Sequence, residues 1–268
     1  MPFVTSKEGT RIGYSVTGSG PAIVLVDGAM CWRAMGPATP LAEQLKDSFT
    51  VYTYDRRGRG ESGDTKPYST EREVEDLAAV IEAAGGSAAV YAISSGVGLA
   101  LEAANTIPGI TKLVLYEMPI FTDDTRKTHK PVPTDYVQHM DDLVARGDNA
   151  GAVKHFMKNG IGVPWFGLLM MQVMGMFRKM AVVGPTLPYD TAFVAPFWNY
   201  QPIPEGRWSK ATMPALVMGG GKSDTWMQNA QKAIAANLPN AVHETLPGQN
   251  HMVAPTAIAP KIKEFVLS

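Results

Sequence analysis

The chain has 268 residues, of which 45% are hydrophobic and 18% charged, a balance typical of a globular protein with a large core. Its 24 Lys and Arg nearly cancel its 25 Asp and Glu, so the net charge of −1 favours binding neither to nucleic acid nor to an anionic membrane. A lone Cys31 excludes an internal disulfide and a cysteine-based metal cluster. Without a long apolar span or a signal-peptide pattern, the sequence predicts a soluble cytoplasmic protein that acts on a neutral or mildly polar small molecule.

Segments typical of strands and helices alternate along the first 120 residues. Short β-branched runs predict strands over 23–26, 49–54, 88–93 and 112–116. Helices are predicted over 32–46, from a Thr70–Glu73 capping box to Gly85-Gly86, and over 97–105. After Pro214 the alternation returns, with strands over 215–218 and 241–246 and helices over 226–238 and 257–267. This order predicts an α/β fold with a mostly parallel sheet flanked by helices on both faces.

The strand pattern is interrupted between residues 118 and 207. Prolines, aromatics and methionines accumulate there, and eight of the fifteen methionines lie between Met118 and Met180. No internal repeat or flexible linker separates independent domains. The sequence therefore predicts one α/β core, 1–117 and 208–268, with a helical cap inserted over 118–207.

The segment Ala92-Ile93-Ser94-Ser95-Gly96 joins a predicted strand to a predicted helix. A tight strand-to-helix turn that exposes a nucleophile needs small residues two positions before and after it. Ser94 has Ala92 and Gly96 at those positions, whereas Ser95 would have Ile93 and Val97. The steric requirement therefore favours Ser94 as the nucleophile.

Four motifs in the same chain order resemble those of the α/β-hydrolase family. They are Asp27-Gly28-Ala29 after the first predicted strand, Asp55-Arg56-Arg57-Gly58-Arg59-Gly60-Glu61-Ser62, the Ser94 turn, and Pro247-Gly248-Gln249-Asn250-His251. Within the family, the chain resembles zearalenone-type lactonases and small bacterial esterases. The resemblance covers nearly the whole chain and implies a serine hydrolase with a cap over its active site.

The resemblance also implies roles for individual residues. His251 would be the base that activates Ser94, and the backbone N–H groups of Ala29 and Ser95, in the turn that contains Gly28, would form the oxyanion hole. Arg56 and Arg57 are expected to tie loops together. We expect His129, His139 and His155 to be solvated on the surface, and His243 to have a structural role on its strand.

Two carboxylates are candidates for the acid that orients His251. Asp224 follows the seventh strand of the family pattern, which is the commonest family location. Glu117 ends the strand expected beside the Ser94 strand, and Tyr116-Glu117-Met118-Pro119 resembles the segment that carries the triad Glu in the zearalenone lactonases. We favour Glu117 and keep Asp224 as the alternative.

The cap is rich in side chains suited to an apolar substrate, because Met adapts to irregular ligands and aromatics bury large areas. From this set and the oxyanion turn we predict a pocket lined by Met30, Trp165, Met170, Met174, Phe197 and Trp198. The sequence thus predicts a serine-dependent hydrolase of a hydrophobic carboxylic ester or lactone, with no cofactor or metal and no nucleic-acid or membrane partner. The oligomeric state is left open. A hydroxynitrile lyase or cofactor-free perhydrolase using the same triad, and a non-catalytic binder, are the alternatives.

Overall fold

The computed structural model describes residues 2–126 and 131–268, in which eight strands form one sheet in the order β1-β2-β4-β3-β5-β6-β7-β8. The strands are β1 (Phe3–Thr5), β2 (Arg11–Gly18), β3 (Ala22–Val26), β4 (Thr50–Tyr54), β5 (Ala88–Ile93), β6 (Ile110–Tyr116), β7 (Ala215–Gly220) and β8 (Ala241–Leu246). The α-helices are α1 (Ala38–Leu45), α2 (Thr70–Ala83), α3 (Ser95–Ala104), α4 (Tyr136–Ala145), α5 (Asn149–His155), α6 (Trp165–Val173), α7 (Met176–Met180), α8 (Leu187–Val194), α9 (Thr225–Asn237) and α10 (Pro255–Leu267).

Strands β3 to β8 run parallel, and only the β1–β2 and β2–β4 pairs are antiparallel. The predicted α/β class with a mostly parallel sheet is therefore confirmed. Because β5 lies between β3 and β6, the loops that leave the carboxyl ends of these three strands are neighbours. Ligands bind at this edge in open α/β sheets, so the topology places a candidate site there.

Two hydrophobic clusters cover the two faces of the sheet. On β3, Val24 and Val26 belong to the cluster beneath α2, α3 and α9, whereas Ile23 and Leu25 belong to the cluster beneath α1 and α10. This alternation follows from the two-residue period of a strand. The continuous apolar run in the sequence therefore reflects a strand buried on both sides.

Residues 118–207 hold α4 to α8, a π-helical turn (Phe156–Ile161) and two 3-10 turns (Ala181–Thr186 and Ala195–Phe197), and their described part contains no strand. Nine of their buried hydrophobic side chains form a third hydrophobic cluster, which we call the cap cluster. It includes Met140, Leu168, Phe177 and Leu187, together with Met30 from the core. The cap thus packs directly on the loop that follows β3.

The structure corrects several local predictions. The helix predicted over 32–46 begins only at Ala38, since Pro37 precedes it and Trp32 and Met35 form a reciprocal backbone turn. The Thr70–Glu73 capping box is absent, because Ser69 is the N-cap and Glu73 instead binds the guanidinium of Arg56.

Strands β1 and β2 were not predicted.

No single helix in residues 2–126 and 131–268 has both the length and the apolar composition to span a membrane. One pair of helical segments, Trp165–Val173 and Met176–Phe197, meets the two criteria jointly, but the pair is bent by 80°.

Candidate active site

Ser94 occupies the turn between β5 and α3 with φ 59° and ψ −133°, a conformation that a non-glycine residue rarely adopts. The packing explains the small residues around it. A Cβ on Gly96 would lie 2.7 Å from the carbonyl oxygens of Val26 and Asp27, so only glycine fits against the end of β3. Ala92 is completely buried. These contacts hold Ser94 at the N-terminus of α3.

A continuous chain of hydrogen-bonding groups joins Ser94, His251 and Glu117, which we call the triad. The Oγ of Ser94 lies 3.2 Å from Nε2 of His251, and Nδ1 of His251 lies 3.0 Å from Oε2 of Glu117. With the ring proton on Nδ1, that nitrogen donates to the carboxylate and leaves Nε2 free to accept from the hydroxyl. This is the arrangement in which a histidine can take a proton from serine.

The Glu117 carboxylate is fully buried and fixed by partners that the sequence analysis did not identify. Its Oε1 accepts hydrogen bonds from the amide of Gly220, at 2.7 Å, and from the hydroxyl of Ser223, at 2.5 Å. The amide of Gln231 binds both the N–H and the C=O of Met118. Glu117 itself has φ 50°. Two parallel strands and α9 therefore determine where this carboxylate points.

Asp224, the alternative acid, lies elsewhere. It is exposed at the N-cap of α9, and its Oδ2 accepts a hydrogen bond from Nε1 of Trp226 at 3.2 Å. Among the described residues, the carboxylate that contacts His251 is that of Glu117. The segment after β7 still contributes to the triad, because Ser223, one residue before Asp224, donates to the carboxylate of Glu117.

The loop that carries His251 is anchored to the sheet on both sides. The hydroxyl of Tyr116, the last residue of β6, donates to the carbonyl of Asn250 at 2.7 Å. Gly220, the last residue of β7, packs so closely that an added Cβ would lie 2.5 Å from the carbonyl oxygen of Gln249. The backbone around His251 is thus held by the same two strand ends that hold Glu117.

The turn after β3 lies against the nucleophile. A Cβ on Gly28 would be 2.6 Å from Cβ of Ser94 and 3.2 Å from its Oγ. The thiol of Cys31 donates to the carbonyl of Ala29, and burial raises its pKa to about 12, so it stays protonated. Ser95 is the first residue of α3, where N–H groups have no partner within the helix. The predicted oxyanion residues are therefore brought beside Ser94.

Backbone strain is concentrated around this site. The described chain has four non-glycine residues with positive φ. Two of them, Ser94 and Glu117, belong to the triad, and Met30 lies on the turn after β3 that contacts Ser94. The fourth is Tyr200. Strained conformations persist where the surrounding structure fixes them, commonly at functional sites.

A buried charge network, missed in the sequence analysis, connects the site to the cap. Asp190 of α8 accepts a hydrogen bond from the hydroxyl of Ser95 at 2.8 Å and ion-pairs with both Arg56 and Arg59. Arg59 also donates to the carbonyl of Gly28 at 2.8 Å. Arg56 and Arg57 have the tying role that we expected, Arg57 through Asp76. Asp190 thus joins the cap to the start of α3, beside Ser94, and, through Arg59, to the oxyanion turn.

Asp27, at the start of the oxyanion turn, is a buried carboxyl with an unusual pKa. Desolvation by burial raises that pKa from 3.8 to about 7, although a hydrogen bond from the amide of Ala38 and the charges of Arg59 and Arg56 oppose the shift. The group therefore titrates near neutral pH, close to the nucleophile.

The residues predicted to line a pocket are dispersed. Met30 lies in the cap cluster, and Trp198 is half-buried, donating from Nε1 to the carbonyl of Pro119. Phe197 lies in a short 3-10 turn, and its ring instead packs against Trp208 in the hydrophobic cluster beneath α2, α3 and α9. Trp165, Met170 and Met174 are exposed on and just after α6.

Two open cavities lie elsewhere on the molecule. One, of about 430 Å³, is lined by residues that include Arg33, Asp55 and Glu61, and the other, of about 460 Å³, by residues that include Asn229 and Lys232. None of the triad residues lines either cavity.

The other histidines that the structure describes lie apart from the triad. His155 is buried rather than solvated, because its ring packs on Tyr136 and hydrogen-bonds to the carbonyl of that residue. His139 is exposed and His243 half-buried, while His129 lies outside the described residues.

Comparison with known proteins identifies the family of this chain. Residues 18–259 match the model of the alpha/beta hydrolase family. The chain belongs to this family. An alpha/beta hydrolase from Sphaerobacter thermophilus is 46% identical, with a TM-score of 0.86 over 99% of this chain and 100% of that one.

More distant alpha/beta hydrolases share the fold. The enol-lactonase from Burkholderia xenovorans is 19% identical, with a TM-score of 0.69 and complete coverage of both chains. A thermophilic esterase from Thermogutta terrifontis is also 19% identical, with a TM-score of 0.65 over 99% of this chain and 97% of that one.

Proposed function

We propose that this alpha/beta hydrolase cleaves a hydrophobic carboxylic ester or lactone through an acyl-enzyme on Ser94. The observation that carries the proposal is the hydrogen-bonded chain from Ser94 through His251 to the buried carboxylate of Glu117. A serine hydroxyl is a weak nucleophile at neutral pH and needs such a base. The esterase and lactonase names of structural neighbours support the reaction class.

In the proposed acylation, Oγ of Ser94 forms a bond to the substrate carbonyl carbon while its proton moves to Nε2 of His251. The carbonyl π electrons move onto oxygen, and the N–H groups of Ser95 and Ala29 stabilise that negative charge. Collapse of the tetrahedral intermediate breaks the bond to the alcohol oxygen, which takes the proton back from His251. The product is an acyl-Ser94 ester and an alcohol, which in a lactone stays attached to the acyl group.

Deacylation repeats these steps with water as the nucleophile. His251 takes a proton from water, the hydroxide adds to the acyl carbon, and Ser94 leaves with the proton. The carboxylate of Glu117 keeps its contact with Nδ1 of His251 and stabilises the imidazolium that forms in each half-reaction. This scheme needs no cofactor. The apolar surroundings of Met30 in the cap cluster support an apolar acyl or alcohol group.

Covalent labelling tests the nucleophile. A fluorophosphonate should add one adduct to the wild-type protein, on the peptide that contains Ser94, and none to Ser94→Ala. Ser95→Ala is the matched control, because it removes the neighbouring hydroxyl but keeps the amide proposed for the oxyanion hole. Labelling that survives in Ser94→Ala but disappears in Ser95→Ala would refute the assignment.

A substrate panel tests the reaction. We expect turnover of p-nitrophenyl esters or of aliphatic and aromatic lactones, and loss of that turnover in Ser94→Ala. A protein that binds these compounds without releasing acid, or that releases hydrogen cyanide from a cyanohydrin, would exclude the proposed hydrolysis.

A further inference from the structure

The outer face of α6 consists of large apolar side chains exposed to solvent. Six of them, each between 54% and 80% exposed, are Trp165, Phe166, Leu169, Met170, Val173 and, just beyond the helix, Met174. At about 100° per residue they cover about half of the helix circumference. A surface helix ordinarily turns such a face towards the core and presents polar residues to water. In α6 this pattern is reversed, and exposed apolar patches of this kind mark interaction sites.

The inward face of the same helix is already used. Leu168, the one buried residue of α6, and Met171 pack in the cap cluster, which also contains Met30 of the oxyanion turn. The outer face therefore cannot be buried by rotating the helix without exposing another apolar face. The cap thus forms a layer between the oxyanion turn and an uncovered apolar surface.

The chain segment that contains α6 carries charges of one sign. Residues 149–189 contain no Asp or Glu, but they contain Lys154, Lys158, Arg178 and Lys179, all of them exposed. These lie on α5, the π-helical turn and α7; the turn and α7 both pack on α6, and α5 packs on the turn and on α7. The segment takes four of the 24 Lys and Arg and none of the 25 Asp and Glu, leaving 20 against 25 elsewhere. The near-neutral whole chain therefore contains a basic, apolar segment, residues 149–189, within the cap.

We propose that the cap binds the surface of an anionic lipid bilayer through the outer face of α6. An apolar helix face with adjacent cations is the composition of helices that lie in the membrane interface. The nine residues of α6 are about 14 Å long, too short to cross a hydrocarbon core of about 30 Å, so the helix lies in the surface rather than spanning it.

Charge distinguishes this occupant from a second copy of the chain. A two-fold dimer through α6 brings the same patch of each copy together, and with it the cations of both. Like charges at an interface oppose association, whereas anionic headgroups neutralise them. Nucleic acid would also attract the cations, but it would leave the six apolar side chains uncovered.

Vesicle flotation with the full-length protein tests the proposal. The protein should float with vesicles of phosphatidylcholine mixed with phosphatidylglycerol, remain largely unbound with phosphatidylcholine alone, and bind more weakly at high salt. Leu169→Ser combined with Val173→Ser, at the centre of the exposed face, should weaken binding by about tenfold or more. Arg178→Glu combined with Lys179→Glu should weaken it by at least a similar factor.

Matched controls separate the cap from exposed apolar residues elsewhere. Val242→Ser combined with Leu267→Ser removes two exposed apolar side chains outside the cap and should leave flotation unchanged. Melting temperatures within a few degrees of wild type establish that each double variant is folded. The proposal is overturned if the wild-type protein fails to bind the anionic vesicles, or if the two pairs of serine substitutions weaken binding equally. It is also overturned if sedimentation shows a dimer that Leu169→Ser with Val173→Ser converts to a monomer, because a second copy then covers this face.

Discussion

Replacing Glu117 with Gln keeps the shape of the triad, but one of the hydrogen bonds that the carboxylate accepts cannot form, because the amide NH₂ group is a donor. Glu117 accepts from Gly220 and Ser223 on one oxygen and contacts Nδ1 of His251 with the other. If the Gln oxygen faces Gly220, its NH₂ group faces Nδ1 and drives the ring proton to Nε2, which then cannot accept from Ser94. If the amide is turned round, its NH₂ group faces the Gly220 N–H in a site without solvent. Neither orientation reproduces the wild-type arrangement.

The expected loss of kcat has two causes: the wrong tautomer of His251 and the missing negative charge of Glu117. Leaving a buried donor unsatisfied costs about 1–3 kcal/mol, and the imidazolium formed during acylation loses its carboxylate partner. In a serine protease the corresponding amide substitution lowers kcat by about 10⁴. We therefore expect Glu117→Gln to lower kcat by about 10²–10⁴, which is about 3–5 kcal/mol in the activation free energy.

Steady-state kinetics on an ester or lactone from the substrate panel measures this effect. The values of kcat and kcat/KM should fall together with little change in KM, as expected for an interaction made mainly in the transition state. Asp224→Asn is the matched control, because it removes a carboxylate from the same end of the sheet at an exposed position. It should cost less than about tenfold. Thermal unfolding of both variants establishes that they are folded.

One pattern of results would refute this reasoning. If Asp224→Asn abolishes turnover while Glu117→Gln retains wild-type kcat, the acid is Asp224, and the observed Glu117–His251 contact is not the catalytic one. Equal large losses in both folded variants would contradict a single fixed acid.

Three further changes test the surroundings of the triad. Asp190→Asn should lower the free energy of unfolding by about 3–5 kcal/mol, because buried Arg59 loses its carboxylate partner, and calorimetry measures this loss. Gly28→Ala should lower kcat by more than about tenfold, since its Cβ would lie 2.6 Å from that of Ser94; kinetics and the melting temperature together measure the effect. In the wild type the raised pKa of Asp27 means that the folded state holds a proton that the unfolded state has released, so stability falls as pH rises from 3.8 to about 7. Asp27→Asn removes this pH dependence, which amounts to up to about 4 kcal/mol. Denaturant unfolding should therefore show that the free energy of unfolding of the variant rises relative to that of the wild type over this pH range.

Each change has a contrary outcome. A melting temperature of Asp190→Asn equal to that of wild type would show that the ion pairs with α8 contribute no net stability. Normal turnover by Gly28→Ala would mean that the turn after β3 can move away from the nucleophile. Parallel stability curves for Asp27→Asn and wild type would show that the Asp27 pKa is ordinary.

The sequence was most informative where local sterics restrict the choice of residue. The strand-to-helix turn admits only small residues two positions before and two positions after Ser94, and the closeness of Gly96 to the end of β3 gives the structural reason for the second of them. The alternating strands and helices predicted the parallel sheet because strands buried on both faces appear as continuous apolar runs. Strands β1 and β2 escaped prediction for different reasons: β1 has only three residues, at the sheet edge, and β2 has eight residues but includes two glycines and several exposed positions, so it forms no continuous apolar run.

Contacts between distant residues could not be predicted in the same way. The sequence identified both Glu117 and Asp224 as candidates, but only the packed strands show that Glu117 lies beside His251 while Asp224 faces solvent. Ser223, Gln231 and Asp190 carry no local pattern, because their partners are 95 to 134 residues away in the chain. Glu73 likewise fits a capping box locally but binds Arg56 in the core.

The sequence by itself therefore determined the fold class and the nucleophile candidate, since each depends on a local periodic or steric rule, whereas the histidine candidate came from the resemblance to the family pattern. Tertiary structure decided which carboxylate meets the histidine, which charges hold the cap to the core, and that α6 turns its apolar side chains outward. The physical reason is that composition and periodicity specify which side chains avoid water. Which surface covers them, and which charge neutralises which, depends on how the elements pack.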